Sequence, residues 1–273
     1  QGEGKEAHTL WAITDPETKQ QLTQLLSCQR LYIADGHHRY ETALAYRQER
    51  SQSQSDSGKL TDDGFQYVMM ELVDFSDPGL VVLPVHRLVR GIASSALAAL
   101  QRQLEHFFTL EFVSSSEESF AAFHRQPFSL SAMATRGAAN SMQSHQQEDI
   151  ISGVLGLQAG TLVLLRRRQG ISFEAMMPRD RSEPYREFGV SILNHIIFDK
   201  MLGLTSKEDI VYTVDLKEAY QQIKEGKYQL AFLLNPPHPD IIKAVATAQD
   251  RMPSKSTYFY PKLPAGLVIN PLD

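Results

Sequence analysis

Asp35-Gly36-His37-His38-Arg39-Tyr40-Glu41 gathers two carboxylates, a glycine, two imidazoles and a guanidinium in one short stretch. Gly36 lets the backbone turn sharply and approach a ligand with no Cβ in the way. If a helix opens just after it, the first amides have no intrahelical acceptor, and with the helix dipole they form an anion site. His37 and His38 add further donors, and Arg39 can grip a phosphate through two parallel N–H groups. Asp35, beside such a site, is placed to hold magnesium or to accept a proton. The competing reading is ordinary, because Asp-Gly is a common turn dipeptide and His-His-Arg suits a solvated helix start. Three anion donors directly after a turn glycine favour the functional reading. Adjacent histidines at a helix start point in different directions, which speaks against a zinc pair.

Other residues are weaker candidates. Lys255-Ser256-Thr257 offers an ammonium and two hydroxyls that could bind phosphate from a loop, without the glycine-rich approach of a P-loop. A loop fixed by its Tyr and Pro neighbours explains it equally well. His86-Arg87 follows an apolar strand and could reach a shared cleft, although a structural hydrogen-bonding pair is commoner there. His195 lies in an apolar helical stretch, where a satisfied core histidine is the commoner finding. Asn235 sits at a turn and could orient a ligand. Arg166-Arg167-Arg168 is too short, and too poor in interleaved aromatics, to indicate nucleic acid. Cys28 reads as buried filler.

The elements that must position these residues follow from pattern. In Thr14-Asp15-Pro16-Glu17, Thr14 can cap a helix running to about Cys28, with Pro16 in its first turn and Glu17 three residues on as in a capping box. Leu31–Ala34 reads as a short buried strand, Asp35–Arg39 as the turn, and Tyr40, Ala43, Leu44 and Arg47 as a following helix. Strands are expected over Phe65–Val73 and Leu80–Val85, joined by Asp77-Pro78-Gly79. Helices are expected over Ser94–Phe108, Ser116–Arg125 and Arg186–Leu202, with a short strand at Glu111–Val113. A hairpin is expected between Thr161–Leu165 and Ile171–Met176. Ile210–Val214, Leu216–Glu225, Tyr228–Leu234 and Pro239–Ala248 alternate strand and helix, which implies βαβ packing. The fold class is therefore α/β or α+β with mixed sheets. Residues 1–273 are expected to form one multi-lobed domain, with 51–64 and 136–149 as polar loop insertions.

Composition bounds the alternatives. The 273 residues are 42% hydrophobic and 22% charged, as in ordinary globular proteins. A net charge of −5 argues against holding nucleic acid by bulk electrostatics. One cysteine excludes an internal disulfide. No apolar run approaches the ~20 residues that span a bilayer, and no signal peptide is visible. A cytoplasmic protein with a small-molecule ligand, no membrane partner and no nucleic-acid partner is expected. The oligomeric state is left open.

Two stretches and a shorter motif resemble a bacterial family long labelled a domain of unknown function. Leu31 to Glu49, LYIADGHHRYETALAYRQE, is similar to its signature, and Met252 to Lys262, MPSKSTYFYPK, to its C-terminal signature. Leu83-Pro84-Val85-His86-Arg87 resembles its middle motif, with Val85 where the family has Thr. The family has a further N-terminal segment, so the resemblance implies that this chain is the C-terminal part of a longer protein. The turn is also similar to that of the ParB/sulfiredoxin-like superfamily, whose free serine kinases carry a close Asp-Gly-His-His-Arg stretch. What the resemblance implies is a ParB/sulfiredoxin-like core built around a strand–turn–helix. It further implies transfer of a phosphoryl group from ATP, ADP or pyrophosphate, with Mg2+, to a small hydroxyl compound such as L-serine. Asp35, His37, His38 and Arg39 would then be catalytic, with Asp35 also the metal ligand. Gly36, Glu41, His86, Arg87, His195, Lys255, Ser256 and Thr257 would line the phosphate or nucleotide. A ParB-like nucleotide-binding regulatory module, or a phosphohydrolase, are the alternatives.

Overall fold

The structure, a computed structural model, describes residues 9–55, 63–125, 150–204, 206–262 and 266–271. The chain divides into two compact units, residues 1–33 and 34–273. The first contains α1 (Pro16–Ser27), which starts as expected: the Asp15 carboxylate caps it by accepting from the Thr18 amide at 2.8 Å, and Pro16 opens the first turn. Asp15, not Thr14, is the capping residue. None of the α1 side chains is buried, and Cys28 at its end is exposed rather than filling a core.

The second unit holds the core. It contains α2 (His37–Ser55), β1 (Val81–Leu83), β2 (His86–Val89), α3 (Ser94–Phe107), β3 (Phe108–Ser114) and α4 (Glu117–Arg125). After these come β4 (Ile150–Leu155), β5 (Thr161–Arg167), α5 (Glu183–Glu187) and α6 (Gly189–Ile192), which continues as a π-helix over Leu193–Met201. The chain ends with β6 (Ile210–Thr213), α7 (Leu216–Lys224), β7 (Leu230–Leu233), α8 (Pro239–Thr247) and β8 (Tyr258–Tyr260). Among the described residues, six strands form one sheet in the order β3-β5-β4-β7-β2-β6, and β1 pairs with β8 in a second, two-stranded sheet.

Every pairing among the described residues is antiparallel. The α/β class is as expected, and the βαβ alternation takes a split form. β6 and β7 both run against β2, so they are parallel to each other with β2 between them.

Period-2 alternation sends apolar side chains to both faces of this sheet. Val89, Val163, Leu165, Leu230 and Phe232 pack with Leu100, Leu104, Ile192, Leu193 and Val245 from the helices on one side. Leu88, Leu162, Leu164, Ala231 and Leu233 pack with Phe120, Phe123 and Ala219 on the other. Gly156 lets the β4–β5 connection pass against β7: at φ +91°, a Cβ there would lie 2.1 Å from the Gln229 carbonyl oxygen.

Several expected elements differ. Residues 31–34 form no strand, so the turn at Asp35 does not close a sheet edge among the described residues. Residues 67–73 likewise form no strand, with Tyr67 72% exposed, and β1 finds its partner in β8, far away in sequence. The true hairpin is β4–β5, while Glu174–Met176 forms one 3-10 turn. The helix expected from Arg186 is broken at Phe188. The loop expected from Ser51 is helical over 51–55, and 56–62 and 136–149 lie outside the described residues.

Candidate functional site

α2 begins at His37 because Gly36 adopts φ +82°, a left-handed conformation that favours glycine. The Tyr40 amide donates to the Gly36 carbonyl at 3.0 Å, the first bond of the helix. The amides of His37, His38 and Arg39 precede that bond and face away from the helix body. His37, His38 and Arg39 are all exposed. The Arg39 guanidinium folds back over Gly36, where a Cβ would lie 3.0 Å from its Nη2.

Two cations converge on one oxygen of Asp35. Lys262 Nζ lies 2.6 Å from Asp35 Oδ2, and Arg39 Nη2 lies 3.9 Å from it. The hydrogen bond from Lys262 is the chief reason that the Asp35 carboxyl is held below the ordinary value of 3.8. Partial burial opposes this, while the Gly36 amide and the charges of Lys262 and Arg39 reinforce it. The Lys262 ammonium also sits 5.0 Å from the centre of the Tyr258 ring. At neutral pH the site therefore holds an ionised carboxylate, two cations and a helix N-terminus, a surplus of positive charge suited to an anion.

The second carboxylate of the motif does different work. Glu41 accepts from Arg251 at 2.8 Å and stands 3.5 Å from His38 Nδ1. It braces the start of α2 against the segment after α8. A carboxylate so paired is no phosphate ligand in its own right.

The remaining candidates are not brought to this turn by any contact among the described residues. His86 and Arg87 lie inside β2, a strand covered on both faces, and are 0% and 1% exposed. His86 Nδ1 accepts from the Leu234 amide at 3.1 Å. Arg87 donates to the carbonyls of Val85 and Lys255, the latter at 2.9 Å, and its guanidinium lies 5.6 Å from the Tyr212 ring centre. Burial pushes Arg87 down to about 10, which leaves it cationic at neutral pH. Its bonds tie the Lys255 loop to β2.

In that loop Lys255 is exposed with φ +57°, Ser256 is buried and donates to the Pro253 carbonyl, and Thr257 is half-buried. His195 bridges the Tyr185 hydroxyl, 3.1 Å away, and Asp199, 3.2 Å away, within the helical layer. The arginines of the Arg166–Arg168 run bond to Glu111, Glu187 and the Glu105 carbonyl respectively.

Lys262 and Arg251 were not expected at the site. Both flank or close the Met252–Lys262 stretch, and only the requirement that this stretch meets Leu31–Glu49 in space could have drawn attention to them. Among the described residues no group of three or more His, Cys, Asp or Glu side chains could hold a metal, and no helix is long and apolar enough to cross a membrane.

Residues 1–157 match the model of a family described as a protein of unknown function (DUF1015). No curated protein matches the chain. Among solved structures, a conserved hypothetical protein from Pyrococcus furiosus is 12% identical, with 68% of this chain and 59% of that chain covered and a TM-score of 0.35. Free serine kinase in complex with AMP is 11% identical, with 68% and 56% covered and a TM-score of 0.34. A variant of that kinase in complex with ADP gives the same figures. This chain thus spans less than three-fifths of the length of each.

Proposed function

We propose that this chain, which belongs to the family of proteins of unknown function DUF1015, binds a nucleotide or pyrophosphate at the Asp35–Arg39 turn and transfers a phosphoryl group to a small hydroxyl compound. The observation that carries this reading is the convergence of Lys262 and Arg39 on Asp35 at the amide-lined start of α2. The amides and Arg39 would hold the donor's phosphates, where positioning and charge do most of the catalysis. His37 and His38 would add donors from the same turn. Asp35, ionised, would take the proton of the acceptor hydroxyl as its oxygen bonds to phosphorus. The bond to the bridging oxygen breaks at the same time, and the departing nucleoside phosphate or phosphate keeps the electron pair.

Magnesium fits this site only in part. Asp35 offers one carboxylate, so most of the ion's oxygen ligands would come from the phosphates and water. Bound there, the ion would neutralise charge on the transferring group. L-serine is the acceptor to try first, on the likeness of Asp35–Arg39 to the free serine kinase stretch. AMP and ADP are bound in the free serine kinase structures, so adenosine nucleotides are the first donors to try.

A test is phosphorus NMR of the protein with magnesium, L-serine and, in turn, ATP, ADP and pyrophosphate. A new phosphomonoester signal is expected, and it should vanish in Arg39→Ala and in Asp35→Asn. Both variants should stay folded and melt close to the wild type, because both side chains are exposed. Wild-type turnover in both variants would refute the assignment.

One observation favours a second reading. Lys262 occupies the Asp35 oxygen that a base would need, so a nucleotide-binding module without transfer is the alternative. Tight nucleotide binding with no phosphorylated product would mark it.

A further inference from the structure

We infer that Lys262 is a phosphate-binding residue of this site, which leaves Asp35 for the donor's phosphate when the donor binds. This inference rests on the nucleotide or pyrophosphate reading above and deepens it. Lys262 reaches the turn from the end of β8, which is fixed to the body by Phe259, 8% exposed in the main core. Its Nζ is 2.6 Å from Asp35 Oδ2, an oxygen that Arg39 Nη2 also approaches at 3.9 Å, and the same carboxylate accepts from the Gly36 amide at the turn. Any phosphate cradled by the turn amides would therefore lie within a short swing of the same ammonium.

The exchange is also energetically easy. The Lys262 and Asp35 side chains are 41% and 55% exposed, and ion pairs in such settings are weak. A phosphate beside the helix N-terminus offers more charge than one carboxylate and more acceptor oxygens. Lysine suits a mobile role, as a compact charge on a flexible stem. Departure of Lys262 would also uncover the Asp35 oxygen that the transfer step requires, which reconciles its occupied state with its work as a base.

A double-mutant cycle tests this by calorimetric titration of the whole chain with pyrophosphate, and then ADP, in EDTA. Lys262→Met should weaken binding by about tenfold or more, the loss expected for one charge-assisted hydrogen bond. Asp35→Asn should tighten it several-fold, because Lys262 no longer has a competing partner. In the double variant that gain should disappear, leaving affinity at the Lys262→Met level. The gain from Asp35→Asn is an effect that misfolding cannot produce.

If Lys262 serves only to brace Asp35, the two single variants will bind alike, and the inference fails. Equal affinity of Lys262→Met and wild type overturns it too, with the nucleotide reading left standing. If the unaltered protein binds neither pyrophosphate nor ADP, both the inference and the reading beneath it fall.

Discussion

Gly36 decides whether the turn exists. At φ +82° any L side chain is strained, and a Cβ would press on the Arg39 guanidinium from 3.0 Å. Gly36→Ala should therefore cost about 1–2 kcal/mol in urea unfolding. It should also displace Arg39 and weaken pyrophosphate binding in the same preparation. Asp35 next to it is held below 3.8, chiefly by the Lys262 hydrogen bond. For a carboxyl depressed in the folded state, the associated stability is present above the unfolded value. It is lost as pH falls through the folded one. The loss thus belongs to the acid range below about pH 4, and neutral-range pH effects must come from other groups. Carbon NMR of the Asp35 carboxyl should give a midpoint under 3.8, and Lys262→Met should raise it. A midpoint that does not move would mean that the Lys262 bond has no hold on Asp35 in solution.

At the scale of elements, the sheet is defined by which strands are buried on both faces. Phe232 in β7 is fully buried and meets Phe198 edge-on at 5.0 Å. Phe232→Ala should destabilise the chain by about 3–5 kcal/mol, read as a lower denaturant midpoint with an unchanged slope. The helices were legible in the sequence because their apolar stripes and caps are local: α1, α3, α4, α7 and α8 lie close to where pattern places them. Strand pairing was not legible, because it is decided by distant segments. Val81–Leu83 looks ready to pair with the apolar run at 67–73, yet β8 takes that place. Leu31–Ala34 and 67–73 have strand-like residues but no strand partner in the described structure. At the site, the turn and its glycine were legible from residue type. Lys262 was not, since nothing local to Pro261-Lys262 announces a carboxylate more than two hundred positions away.

For the whole molecule, the buried core belongs to residues 34–273, and α1 in residues 1–33 contributes no buried side chain. A chain that starts at Ala34 should consequently melt within a degree or two of the full chain, by circular dichroism. A drop of ten degrees would show that residues 1–33 support the core. The split arrangement of β2 between β6 and β7 has a consequence in time. β2 is complete by Val89, but both of its neighbours come from residues 210–233. Closing so long a loop is entropically slow. During synthesis, the segment carrying His86 to Val89 lacks both of its neighbours until residues 210–233 have left the ribosome. A chain cut short before Leu230 lacks a central strand of the six, so it can misfold but cannot close the sheet. For this topology the interval between the synthesis of β2 and that of β7 is the one in which chaperones matter most.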